Sequence, residues 1–190
     1  MHITLTANQL AGRGTGALFF TGFGTLWFAL ALYVRQSLNA VTICAVAGGA
    51  LLLLAAASVL YRQARSFPRV ADDPAIGRAF GRVNAIQWIA VFVVAFSFAR
   101  LHMDAYVLSA ITAITGLHMF PLARLFRYPQ HYVTGVLLTG WAIASIFVAP
   151  AERLQGVTAL GTGTILWFSA AVTLALAFRA ALSSRRALVA

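Results

Sequence analysis

The residues best suited to chemistry lie in one stretch, GLHMFPLARLFRYPQHY, residues 116–132, where His118 and Pro121 interrupt an apolar run. An imidazole both accepts and donates a proton near neutral pH. Pro121 has no N–H, so the carbonyl of Leu117 loses its helical partner and the helix is expected to break or kink there. A neutral imidazole beside a free carbonyl makes a small polar site. Ionisable groups in an apolar interior are costly, and for that reason they are functional candidates. The competing reading is structural: a histidine hydrogen-bonded to Gln87, Asn84 or a threonine that fixes how helices pack. The tail of the stretch carries Arg124, Arg127, Tyr128 and His131, a basic and aromatic set suited to anchoring at a membrane interface or to contact with a lipid headgroup or partner.

The rest of the chain adds little chemistry. The acids are Asp72, Asp73, Asp104 and Glu152. Asp104 sits about 14 residues before His118, so an Asp/His proton relay lacks its acid. Ser109 lies in VLSAIT, without the glycines of a nucleophile elbow, and no GxSG sequence occurs. Cys44 is alone in an apolar run, where a thiol behaves as a small hydrophobe, and no Cys/His cluster has metal-ligand spacing. The expectation is a protein that is not an enzyme and has no metal and no cofactor.

These residues must be positioned by something, and composition says what. Only 9% of the 190 residues are charged, against 61% hydrophobic, where soluble domains hold roughly 25% charged groups. Mean hydropathy is +0.86. The charge is net +10, and every basic residue is an arginine. The arginines stand between apolar segments, where anionic lipid would meet them, and no basic patch on a soluble fold points to nucleic acid.

Six apolar runs approach the length of about 20 residues that crosses a bilayer core. Backbone polar groups need internal partners in lipid, and the runs lack strand alternation, so all are expected to be helices. The expected class is all-α, a polytopic membrane protein, one bundle of six transmembrane helices over residues 15–34, 40–61, 84–100, 105–126, 132–149 and 157–178. Residues 1–12 are expected to be a short polar tail. The first run is too long for a cleaved signal and is read as a retained helix.

With the N-terminus inside, eleven arginines fall on the inner side and Arg35, Arg100 and Arg153 on the outer side. That asymmetry predicts both termini in the cytoplasm. His118 then lies 13 residues past Ala105, about 20 Å down its helix. The basic loop 62–83 is too short for a folded domain. It is either a connector held at anionic lipid or a docking loop for a cytoplasmic partner. Asp72 or Asp73 could cap a short interfacial helix beginning at Pro74.

Small residues recur four apart at Gly12 and Gly16, Ala45 and Gly49, Gly140 and Ala144, and Ala159 and Gly163. Such pairs serve packing within a chain or a face for a second copy. GFGTLWF at 22–28 echoes GTGTILWF at 161–168. The two helices run in opposite directions, so the echo reads as convergent use of small residues and tryptophan. Trp27 and Trp141 lie well inside their runs, which favours packing over interfacial anchoring.

The segment GLHMFPLARLFRYPQHYVTG resembles a GLHxxPLA-type motif of small uncharacterised bacterial membrane proteins of about six helices. The likeness spans about 20 of the 190 residues. It implies a bacterial cytoplasmic membrane and no particular activity. In size and topology alone the chain also resembles the substrate-binding membrane subunits of vitamin transporters, which need an energising partner.

The function expected is binding or transport of a small solute near the helix break, with His118, Gln87, Trp88, Ser97 and Thr115 as its neighbours. The alternative is a non-catalytic membrane protein acting on lipid or on a protein partner, including a second copy of itself.

Overall fold

The computed structural model describes residues 5–71 and 73–189, with side-chain surroundings as far as residue 184. Six helices follow one another: α1 Ala7–Val34, α2 Ala40–Ala64, α3 Pro74–Arg100, α4 Val107–Leu125, α5 Gln130–Val148 and α6 Ala151–Val189. A 3-10 turn, Asp104–Tyr106, leads into α4. All six helical segments are long and apolar enough to cross a membrane. The chain is an all-α, multi-pass membrane protein, as composition requires.

Several helices outrun their apolar cores, because polar caps lie outside the apolar stretch that marks a span. Thr6 and Gln9 form a reciprocal capping box, with Thr6 Oγ1 accepting from the Gln9 N–H at 3.3 Å and Gln9 Oε1 from the Thr6 N–H at 3.2 Å. Residues 7–12, expected as tail, are therefore the first turns of α1. Asp73 caps α3, its carboxylate accepting from the Ala75 N–H at 2.8 Å, with Pro74 in the first turn. The expected interfacial helix at Pro74 does exist, but it continues unbroken into the span. The connector shrinks to 65–73, and Asp72 lies outside the described residues. Residues 151–156, expected to link the runs 132–149 and 157–178, are the start of α6, and α6 runs on past residue 178 to Val189.

α6 is the central element, touching α1, α2, α4 and α5. Two glycine crossings bring backbones together. On the α1/α6 side, a Cβ added to Gly24 would stand 3.2 Å from the Gly163 carbonyl, and one added to Gly163 would stand 3.1 Å from the Gly24 carbonyl. The Trp167 indole covers Gly24 and Gly49 and donates to the Thr21 carbonyl at 3.2 Å. The echo segments thus face each other across this crossing. On the α4/α5 side, Gly116 and Gly135 are closer still, with 2.9 and 2.8 Å from each would-be Cβ to the other's carbonyl. Side chains here would force the helices apart.

α2 packs on α1 and the edge of α6, and Cys44 on it is exposed, not buried as a small core hydrophobe. α3 packs on α4 and the 3-10 turn, and none of its residues is buried. Ala7 and Ala181 share one core cluster, while Gly156 lies against Arg35. α1 and α6 are therefore antiparallel, and the start of α1 and the end of α6 lie at the same end of the bundle, its terminal end. That terminal end carries Arg13, Arg62, Arg65, Arg69, Arg78, Arg82, Arg124, Arg127 and Arg179, and the far end carries Arg35, Arg100 and Arg153. The surroundings of Arg185 and Arg186 lie outside the described residues.

Candidate functional site

His118 is buried on α4, 8% exposed, near the terminal end. The group facing its imidazole is the main-chain carbonyl of Val83 on α3. This backbone acceptor lies next to Asn84 in sequence and one turn from Gln87, the side chains expected to meet His118. Gln87 lies one turn further along α3 and is half-buried. α4 is continuous from Val107 to Leu125, with Pro121 inside it and exposed. The expected helix break is therefore absent. The ring points away from the core, where it clashes with no neighbouring helix.

The other expected neighbours scatter. Trp88 is 46% exposed and tilts against Phe92 on the outer face of α3. Ser97 lies near the far end of α3, 14 residues from Val83, about 20 Å along the helix. The Thr115 hydroxyl donates to its own helix, to the Ile111 carbonyl at 2.8 Å. Trp88 and Ser97 thus lie apart from His118, while Thr115, one turn before it on α4, spends its hydroxyl proton on its own helix.

What does join it is His131. Expected at the interface, it is buried to the same 8% and lies within electrostatic reach of His118. It sits at the start of α5 because a four-residue link, 126–129, returns the chain directly from α4. Arg127 takes positive φ, 49°, in that link. Aromatic rings enclose the second imidazole: Phe20 at 5.6 Å, Tyr128 at 5.2 Å and Phe126 at 6.4 Å between centroids. Arg13 of α1 stands over the Tyr128 ring at 5.3 Å, a cation–π contact. Arg124 and Arg127 point outward and are exposed. Three polar atoms here are buried without a hydrogen-bond partner: His131 Nδ1, Tyr128 Oη and Gln130 Oε1. Buried polar atoms are normally paired, so a cluster of unpaired ones is a place for a guest molecule or water. Together they offer both donors and acceptors.

A second polar feature runs up from this cluster through the α4/α5/α6 seam. Nearest the far end, Ser109, Ser145 and Thr158 form a closed triangle of hydroxyls, at 3.3, 3.1 and 3.0 Å. One turn deeper, Thr112 meets Thr162 at 2.9 Å. Two turns further, Thr134 meets Ser169 at 2.9 Å. All seven are buried. On α6 the hydroxyls fall at 158, 162, 169 and 173, one stripe of that helix. The signal of this stripe in the sequence is the spacing of Thr158, Thr162, Ser169 and Thr173, which brings them to one face of α6.

A shallow apolar notch of about 350 Å³ opens between α5 and α6 near the far end, lined by Trp141, Val157, Leu160, Gly161, Thr164 and Ile165. It shares no residue with the histidine cluster. Among the described residues, no three His, Cys, Asp or Glu side chains converge as a metal site would need. The chain matches no known protein family, and neither a curated protein nor a solved structure is similar to it.

Proposed function

We propose that this chain binds a small polar solute between its helices and carries it across a bacterial cytoplasmic membrane, without catalysis and with both termini in the cytoplasm. The observation that supports this is the buried His118 and His131, with three unpartnered polar atoms, His131 Nδ1 among them, at the terminal end of α4 and α5. Such groups are costly in lipid unless a guest completes them. The arginine-rich terminal end supports the orientation by the positive-inside rule, and the GLHxxPLA-type motif supports a bacterial source.

The test is thermal unfolding of the detergent-purified protein against vitamins, amino acids, nucleobases and lipids, with His118→Ala and His131→Ala beside the wild type. The expected result is a compound that raises the wild-type Tm and leaves both variants unmoved. If no compound shifts the wild type and the variants merely melt earlier, the pair is structural and the proposal fails.

One observation favours a second reading, a non-catalytic protein that acts through a partner. No residue of α3 is buried, and Phe92, Phe96 and Trp88 lie exposed along it. The mass of the particle in nanodiscs tests for a second copy there.

A further inference from the structure

We infer that the hydroxyl seam between α4, α5 and α6 is the route of passage, and that it suits a small uncharged hydrogen-bonding solute no larger than urea. This rests on the transport reading above and narrows its substrate.

The first support is the direction of the seam. Its rungs rise in order from the terminal end to the far end: His131, then Thr134 with Ser169, then Thr112 with Thr162, then Ser109, Ser145 and Thr158. Each hydroxyl both donates and accepts, so a guest finds a partner at each rung whichever way it faces. The rest of the bundle is different. Among described residues, the buried hydroxyl outside these three helices is Thr21, and it bonds to its own helix at the Ala17 carbonyl, 2.8 Å away.

The second support is where pairing fails. Most interior threonines satisfy themselves on a carbonyl four residues back, as Thr21, Thr115, Thr134 and Thr162 do. Thr139 and Thr173 do not, and their buried hydroxyls have no partner. Their positions are informative. The pairs Ser145–Thr158 and Thr134–Ser169 set one register between α5 and α6. In that register Thr139 falls between the rungs of Thr162 and Ser169, and Thr173 falls level with Gln130 and His131. The unsatisfied hydroxyls thus sit level with the gap in the ladder, where Thr139 Oγ1 lies against Gly116 of α4, and at its foot.

The third support is charge. Above the two histidines, His131 and the His118 beside it, no ionisable side chain lies among the rungs. An ion entering the seam would lose its hydration with no counter-charge, so ions are disfavoured and neutral molecules are not. Size follows from the crossing of Gly116 and Gly135, which holds α4 and α5 together at mid-height. Leu138 and Leu166, both fully buried, close the gap between Thr162 and Ser169, a rise of about 10 Å. They are the gate that a solute must displace.

The test is flux into lipid vesicles holding the full chain, read by light scattering after an osmotic step. The probes are water, urea and glycerol, with rubidium ion as the charged control and protein-free vesicles as background. Wild type is expected to pass water or urea above background and to exclude rubidium. Leu138→Ala is expected to raise that flux about ten-fold by shortening the gate. Thr112→Val with Thr162→Val keeps side-chain shape, removes both partners together, and is expected to lower the flux several-fold. Thermal unfolding run in parallel identifies any variant that fails to fold, and the gain in Leu138→Ala cannot be produced by misfolding if rubidium stays excluded.

Flux at background in the wild type and in Leu138→Ala overturns the route, as does flux that no seam variant changes. The two proposals fail separately. If a compound stabilises the chain through His118 and His131 while flux ignores the seam, binding stands and the route falls. If seam variants alter flux and no compound binds, the route stands without the histidine site.

Discussion

The two glycine crossings do the same thing by different means. Gly24 on Gly163 and Gly116 on Gly135 each bring two backbones into contact. Around the first, the space is filled by Trp167, Phe28 and Thr25, with the Trp167 and Phe28 rings edge to face at 4.7 Å. Around the second, the neighbours are Met119, Phe120 and one hydroxyl, that of Thr139, which is left unpaired. At the first crossing the Trp167 N–H is already spent on Thr21 and Thr25, which leaves nothing for a guest to bond. Beside the second, the hydroxyl pairs that join α4 and α5 to α6 are contacts that a guest can replace one for one. The difference teaches which side of α6 is scaffold and which side is available for work.

Five substitutions bear on that contrast, one of them as the partner in a double-mutant cycle, and the largest effect belongs to the scaffold side. Trp167→Ala removes the indole that covers Gly24 and Gly49, and is expected to destabilise by about 3 kcal/mol. Unfolding in mixed detergent micelles measures it; a loss as small as that of an exposed residue would deny the aromatic crossing its role. Gly135→Val drives a side chain into the Gly116 carbonyl, and about 2 kcal/mol of destabilisation is expected by the same assay. Ser145→Ala removes the hydroxyl common to two contacts of the upper triangle. Interhelical hydrogen bonds in membranes are weak, so about 1 kcal/mol is expected. A double-mutant cycle with Thr158→Val then tests whether the triangle acts as a unit. Gly140→Ala has open space around its new Cβ and is expected to stay within about 0.5 kcal/mol of wild type. A large loss there would mean that the outward face of α5 is covered by a second chain.

Much of the fold was legible because lipid imposes it. A run such as Ala40–Tyr61 has one solution, a helix, and arginine spacing sorts the loops. Helix ends were less legible, since Thr6 and Gln9 look like tail until their reciprocal bonds are seen. Pro121 misled for a physical reason: a proline facing outward costs a helix one hydrogen bond without ending it. The site was half legible. His118 stood out by its setting, but its partner His131 lies across a reversal that residue types alone do not align. Trp88 and Ser97 were drawn in by proximity along α3, and a helix of 27 residues spreads its side chains over too great a length for that to hold. The hydroxyl seam depends on registers between three helices, which no single run contains.

The union of α1 with α6 also has a consequence in time. Gly24 and Gly163 are separated by almost 140 residues of chain. A ribosome adding 5–20 residues per second needs on the order of ten seconds to cover that span. Through that interval α1 stands in the bilayer with its glycine groove uncovered. The nascent protein must therefore wait for its last helix before its first is safe from the wrong neighbour, and a chain truncated before α6 should be cleared by quality control instead of accumulating.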